Sequence, residues 1–211
     1  MMDSTCSQLF TIGHSNHDYE AFVALLKMHG VTAIADVRSS PYSRWSPQFS
    51  QRELKHSLGS SGIAYSFLGK EFGARSDDPE CYVDGKVQYS RLAELPAFAN
   101  GVARIREGLK SFRIALMCAE KDPIDCHRAV LVSRELQAVG FEVMHILSDG
   151  VLQSHLELEQ RLVAKLKLPP PDLLEMAPIP TDSEVLDLAY RKQESKIAYQ
   201  DEQMLRQEDG G

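Results

Sequence analysis

Cys118, Glu120, Cys126, His127 and Arg128 crowd into one short stretch, Ile114-Ala-Leu-Met-Cys-Ala-Glu-Lys-Asp-Pro-Ile-Asp-Cys-His-Arg128. Two thiols, a carboxylate, an imidazole and a guanidinium on a turn that leads into a helix can do several kinds of chemistry. The first turn of a helix offers unpaired N–H groups and a partial positive charge, so Cys126, His127 and Arg128 sit where an anion is stabilised. The same field, with Arg128 beside it, favours a thiolate at Cys126. Three readings follow. Both cysteines could be small buried apolar side chains, with Asp125 capping the helix and His127 and Arg128 on the surface. The stretch could be an anion or phosphate site in which Glu120 is acid, base or nucleophile. As the alternative to a metal-free site, Cys118, Cys126 and His127 could supply three ligands to a metal ion, although their spacing is not that of a zinc ribbon or knuckle.

The elements that must position these groups alternate. The apolar run from Ile114 reads as a buried strand, the turn at Lys121-Asp122-Pro123 as a loop, and Ala129, Val132, Leu136 and Val139 as a helical stripe closed by Gly140. Leu9–Ile12 is a first strand running into Gly13-His14-Ser15, and Val31–Ala35 a second, running into Asp36-Val37-Arg38. Ala64–Leu68 is a third, ending at a glycine-punctuated basic loop with Lys70, Glu71 and Arg75. Glu142–Leu147 is a fifth, followed by a helix carrying Leu152, Leu156, Leu162 and Leu166. Ser50-Gln-Arg-Glu53 matches a capping box, Pro96 fits the first position of a helix, and the segment from Ser76 to Tyr89 reads as an excursion or lid. His145, in mid-strand, reads as a satisfied core histidine.

This pattern predicts an α/β fold: a single three-layer domain, a mostly parallel sheet of about five strands, helices on both faces, and a C-terminal helical extension. Ligands in such sheets bind outside the carboxyl ends of the strands. The loops there would bring together His14, Asp36, Arg38, Lys70, Glu71, Glu120, His127 and Arg128, a set too polar for a packed interior without a ligand or dense pairing. Salt bridges among Asp36, Arg38, Glu120 and Arg128 are the competing explanation. Tyr42 and the only tryptophan, Trp45, lie close enough in sequence to flank the site, either as covers of a sheet edge or as stacking platforms for a base.

Composition narrows the classes. With 211 residues, 43% hydrophobic and 25% charged, the chain is that of an ordinary globular protein. A net charge of −7 argues against a surface coated for non-specific DNA binding while leaving room for one local basic cleft. There is no run of about 18 apolar residues and no signal-peptide pattern at the start, so no membrane partner and a cytoplasmic location are expected, with Cys6, Cys81, Cys118 and Cys126 as free thiols. Residues 1–8 read as a flexible start, 9–168 as the α/β domain, 169–180 as a proline-rich linker, and 181–211 as a helix with a frayed tail. That helix would pack on the main domain or on a second copy in a homodimer.

Four motifs occur in order: Thr11-Ile-Gly-His-Ser15; Asp36-Val-Arg38 with Pro41 and Ser43; Tyr65 through Leu68-Gly69; and Met117-Cys-Ala-Glu120 with Cys126-His-Arg128. Together they resemble the bacterial family called domain of unknown function 488, over roughly residues 9 to 165. The resemblance implies an α/β domain and marks His14, Asp36, Arg38, Glu120, Cys126, His127 and Arg128 as motif positions, without assigning an activity. The residues point to an enzyme acting on a phosphate-bearing substrate, such as a nucleotide or a modified or damaged base in nucleic acid. Arg38, Arg128, Lys70, Cys126, Tyr42 and Trp45 would bind it, and Glu120, Asp36, His14 and His127 would cleave a glycosidic or phosphoester bond. No cofactor is expected beyond the metal alternative. The other class is a non-catalytic nucleotide or nucleic-acid sensor with Cys126 as a redox-responsive thiol. A thiol enzyme is weaker, because the phosphatase spacing Cys-x5-Arg is absent.

Overall fold

The computed structural model describes residues 7–166 and 181–202. The expectations for residues 1–6, for the linker over 169–180 and for the tail beyond 202 lie outside the described residues, and the start expected to be flexible already enters a strand at Ser7. In chain order the elements are β1 (Ser7–Gly13), α1 (Tyr19–Met28), β2 (Ala33–Asp36), α2 (Gln51–Ser60), β3 (Ala64–Phe67), α3 (Gly69–Phe72), β4 (Tyr82–Val83), β5 (Lys86–Val87), α4 (Tyr89–Glu94), α5 (Pro96–Gly108) and β6 (Ile114–Cys118). A wide turn over Arg128–Ser133 then leads into α6 (Arg134–Ala138), followed by β7 (Phe141–Ile146), β8 (Leu152–Ser154), α7 (His155–Lys165) and α8 (Asp182–Ile197).

The main sheet has six strands in the order β3-β2-β6-β1-β7-β8. β1 pairs in parallel with β6 and β7, and β2 in parallel with β3 and β6. The fold is therefore α/β with a mostly parallel sheet. Strand alternation sorts the core: Leu9, Ala33, Ala35, Ile114, Leu116 and Val143 join one apolar cluster with Phe98, Ile105, Leu158 and Leu162, while Phe10, Ile12, Ile34, Ala115 and Met117 join another with Phe22, Leu26, Leu54 and Leu58. Helices accordingly cover both faces.

Two local expectations are corrected. Gly150 (φ +85) turns the chain back so that Leu152–Ser154 pairs antiparallel with β7, giving a sixth strand; the helix expected from Leu152 starts only at His155, where Ser154 and Glu157 form a capping box. The capping box read at Ser50 does not form, because Ser50 Oγ is taken up by the backbone of Ser43. The excursion over 76–89 carries β4 and β5, which pair within it as a short hairpin.

α8 folds back on its own domain. Ala189, Tyr190 and Gln193 are buried, Gln193 Nε2 donates to the Ile124 carbonyl at 3.0 Å, and Arg134 pairs with Asp187 at 2.6 Å. A buried polar chain ties this helix to the sheet: Thr11 Oγ1 lies 2.7 Å from His145 Nδ1, His145 Nε2 3.0 Å from His155 Nδ1, and His155 Nε2 2.9 Å from the Tyr190 hydroxyl, which donates to Glu159. His145 is thus a satisfied core histidine.

Burial, with Arg134 nearby, lowers the His155 pKa to about 4. A neutral imidazole in the folded chain takes up its proton only on unfolding, so between about 6.5 and about 4 the unfolded state binds more protons and stability falls as the pH is lowered through that window. The stability lost between about pH 7 and about pH 5 should be about 2 kcal/mol from this group. Urea titrations at the two pH values should show that loss in the wild type and a smaller one in His155→Gln.

Candidate functional site

Sheet order decides where a site can lie. From β1 the chain leaves for β2 on one side, and from β6, which pairs beside β1, it crosses to β7 on the other, so the loops after these neighbouring strands diverge and open a crevice at the carboxyl edge. The loops are stitched together by backbone bonds from His14 N to Cys118 O (2.9 Å), Ser15 N to Ala119 O (2.8 Å) and Val37 N to Met117 O (3.1 Å). Gly13 is required by this stitching, since a Cβ there would lie 1.9 Å from the Glu120 carbonyl oxygen. Gly69 meets a similar limit, with the Arg38 carbonyl oxygen 2.1 Å from the place a Cβ would take.

The resulting cleft has a volume of about 310 Å³ and is lined by, among others, His14, Arg38, Ser39, Tyr42, Arg75, Cys118, Glu120 and His127. Arg38, only 6% exposed, is held from behind: Nε donates to Asp36 Oδ1 at 2.9 Å, Nη2 to Asp36 Oδ2 at 2.6 Å and to Phe49 O at 2.9 Å. Tyr65 adds a hydroxyl bond to Asp36 Oδ2 at 2.7 Å. Asp36 is fully buried and its oxygens are taken by Arg38 and Tyr65, so it is a positioning group. Arg38 Nη1 faces His14 Nε2 at 3.3 Å. The His14 ring stacks on Phe49 at 4.3 Å, and its Nδ1 bonds the Ser15 carbonyl, which assigns the proton to Nδ1 and leaves Nε2 to accept from Arg38. Burial first, and Arg38 second, lower the His14 pKa to about 4, so His14 meets the cleft as a neutral imidazole.

On the other wall the thiols form a tight cluster. His127 Nε2 donates to Val37 O at 3.0 Å, which turns Nδ1 toward Cys118 Sγ (3.6 Å) and Cys126 Sγ (3.9 Å). Cys126 Sγ lies 2.8 Å from Glu120 Oε2, and Arg128 N donates to Cys126 Sγ at 3.4 Å. Burial pushes the Cys126 thiol up, but the Cys118 donor, Arg128 and His127 outweigh it and hold the thiol well below its usual range. Burial and the negative Cys126 raise the Glu120 carboxyl, and burial raises the Cys118 thiol. Burial alone would depress His127, yet the negative charge it faces at Cys126 raises it. Cys118 Sγ, Cys126 Sγ and His127 Nδ1 all lie within 4.8 Å of one another, and these are the atoms that could hold a metal ion.

Not every residue expected at the site reaches it. Arg128, expected to hold substrate, is fully buried behind the cleft, with Nη1 donating to Glu120 O at 2.8 Å and Nη2 to Lys121 O at 3.3 Å, so it shapes the loop that presents Glu120. The helix start expected there is widened into a turn over Arg128–Ser133, with Ser133 Oγ donating to Arg128 O at 2.6 Å; such π-type turns are found often at functional sites. Lys70 is exposed on α3 and lines no part of the cleft, while Glu71 pairs with Arg104. Cys126, 1% exposed, is shielded from solvent, unlike an accessible redox-sensing thiol. Tyr42 lines the cleft and is 72% exposed; Trp45, 89% exposed, lies under the Arg44 guanidinium, 5.6 Å from its ring centroid, and covers no sheet edge. The lining also includes Tyr89, Ile197 and Tyr199. The last two come from α8 and the residues after it, and no motif in that stretch signals them.

A mostly parallel three-layer sheet with a polar cleft at the carboxyl edge places the molecule among α/β domains whose ligand chemistry is carried by strand-end loops. The chain belongs to the family described as domain of unknown function DUF488, which matches residues 18–134, more than half of its length. That span takes in Asp36, Arg38 and Cys118 to Arg128 and leaves the Gly13-His14 turn outside. No curated protein and no solved structure matches the chain. No described helix is long and apolar enough to cross a membrane.

Proposed function

We propose that the cleft is the active site of an enzyme acting on a phosphate-bearing substrate, a nucleotide or a modified base within nucleic acid, and cleaving a glycosidic or phosphoester bond. The observation that carries this reading is Arg38. Its guanidinium is buried and locked by Asp36 and Phe49 O, yet the residue lines the cleft, where a fixed cation recognises a phosphate oxygen without having to be ordered first. Arg75 adds a second, exposed cation on the same lining, and the hydroxyls of Ser39, Ser40 and Ser43 add donors. Glu120 lines the same cleft, and in this reading it gives a proton to the leaving base or alkoxide while water adds to the other fragment and returns a proton to the carboxylate. Tyr42, on the cleft lining, and Trp45, three residues on, are both largely exposed and offer ring faces to a nucleobase.

Calorimetric titration with adenosine, adenosine monophosphate and a short single-stranded oligodeoxynucleotide tests this. The phosphate-bearing probes should bind and adenosine should not. Arg75→Gln, an exposed change that gives up the stacking of Arg75 on Tyr199, should weaken phosphate binding roughly tenfold, equivalent to about 1.4 kcal/mol. The oligonucleotide should also quench the emission of the exposed Trp45. Adenosine binding as tightly as its phosphate would count against the proposal.

A further inference from the structure

We infer that Cys118, Cys126 and His127 form a three-ligand site for a zinc-class divalent cation, with a fourth position open toward the cleft. The inference concerns the cluster beneath the cleft wall and holds whichever anion the cleft takes, so its failure and that of the substrate reading are separable.

Distances carry it first. With metal–sulfur bonds of about 2.3 Å and metal–nitrogen bonds of about 2.0 Å in a tetrahedron, sulfur and nitrogen ligands stand about 3.6 Å apart. Here Cys118 Sγ and Cys126 Sγ lie 3.6 Å and 3.9 Å from His127 Nδ1. The three atoms converge on one small volume, within 4.8 Å of one another, and all three residues are buried.

The surroundings are those of a ligand set. A metal-binding histidine normally donates its other ring N–H to a carbonyl or carboxylate, which fixes the coordinating tautomer, and His127 Nε2 does this to Val37 O at 3.0 Å. The bond from Arg128 N to Cys126 Sγ, 3.4 Å, supports a thiolate. Charge also closes within the ligand set: two thiolates carry two negative charges, which a divalent cation offsets. Binding forms two metal–sulfur bonds and one metal–nitrogen bond, and releases to solvent any thiol proton that Cys118 and Cys126 still carry.

Glu120 is not counted as a ligand. At 2.8 Å from Cys126 Sγ its Oε2 is closer than the roughly 3.5 Å that an oxygen and a sulfur keep in one tetrahedron. Cys118, Glu120 and His127 line the cleft, so the remaining position faces it with Glu120 alongside. Three protein ligands with an open fourth position are the arrangement of a catalytic rather than a purely structural zinc site.

The full chain, purified under zinc-replete conditions, should carry one zinc per chain by elemental mass spectrometry, and replacement by cobalt should give tetrahedral ligand-field bands with thiolate-to-cobalt charge transfer. Cys118→Ser, Cys126→Ser and His127→Gln should each lower affinity for the metal by more than tenfold, whereas Glu120→Gln and Cys81→Ser should keep the stoichiometry. Should the ligand variants fail to fold, the cobalt spectrum of the wild type decides alone, since two thiolates set the charge-transfer intensity. Wild-type protein that takes up neither zinc nor cobalt, or an unchanged cobalt spectrum in folded Cys118→Ser and Cys126→Ser, would overturn the inference.

Discussion

Asp36→Asn is expected to lower the free energy of unfolding by about 3–5 kcal/mol, the largest stability effect of any single substitution at the site. Arg38 is 6% exposed and Asp36 fully buried, so the neutral amide leaves a guanidinium charge in the interior with no counter-ion. The Tyr65 hydroxyl, which donates to Asp36 Oδ2, loses a charged acceptor in the same step. Urea denaturation measures the loss, and the double variant Asp36→Asn with Arg38→Met separates its causes. If the penalty is the uncompensated charge, the double variant regains most of the stability while losing phosphate binding with Arg38. If the double variant is as unstable as the single one, packing rather than charge holds this corner together.

Glu120→Gln is expected to lower turnover by about 10²–10⁴-fold while leaving phosphate binding within about twofold. The amide keeps the size of the side chain and removes the transferable proton. Arg38 and Arg75 are untouched, so ground-state recognition should survive and the effect should fall on kcat rather than KM. The loop should also survive, because Arg128 holds it through the Glu120 backbone carbonyl and not through the carboxylate. A fall in affinity equal to the fall in turnover would make Glu120 a binding residue instead.

Much of this arrangement can be read from the chain before any coordinates. Alternating apolar runs and helical stripes place His14, Arg38 and Glu120 at strand ends, and a parallel sheet puts those ends on one edge. The pairing of Asp36 with Arg38 is also foreseeable, since residues two apart on extended chain point the same way. The direction of a long side chain is not. Arg128 could have faced the cleft or the loop carbonyls, and only the packing of Gly13 against Glu120 O, which brings that carbonyl within reach, decides for the latter. Pairings between distant segments are equally hidden: Leu152 suits a helix by its neighbours and becomes strand because β7 offers an open edge. The return of α8, which brings Ile197 and Tyr199 to the cleft, depends on Tyr190 finding His155 and Gln193 finding Ile124, contacts that no local pattern encodes.

The most direct measurement of the central claim is a product search. Wild-type protein and Glu120→Gln would each be incubated with a mixture of nucleosides, nucleotides and single-stranded oligonucleotides carrying modified bases, and released bases, phosphates and fragments would be read by mass spectrometry. The expected result is one product class arising only from phosphate-bearing members, formed by the wild type and lost in the variant. Conversion of unphosphorylated nucleosides at the same rate, equal product from both proteins, or full recovery of every phosphate-bearing member from the wild type would contradict it.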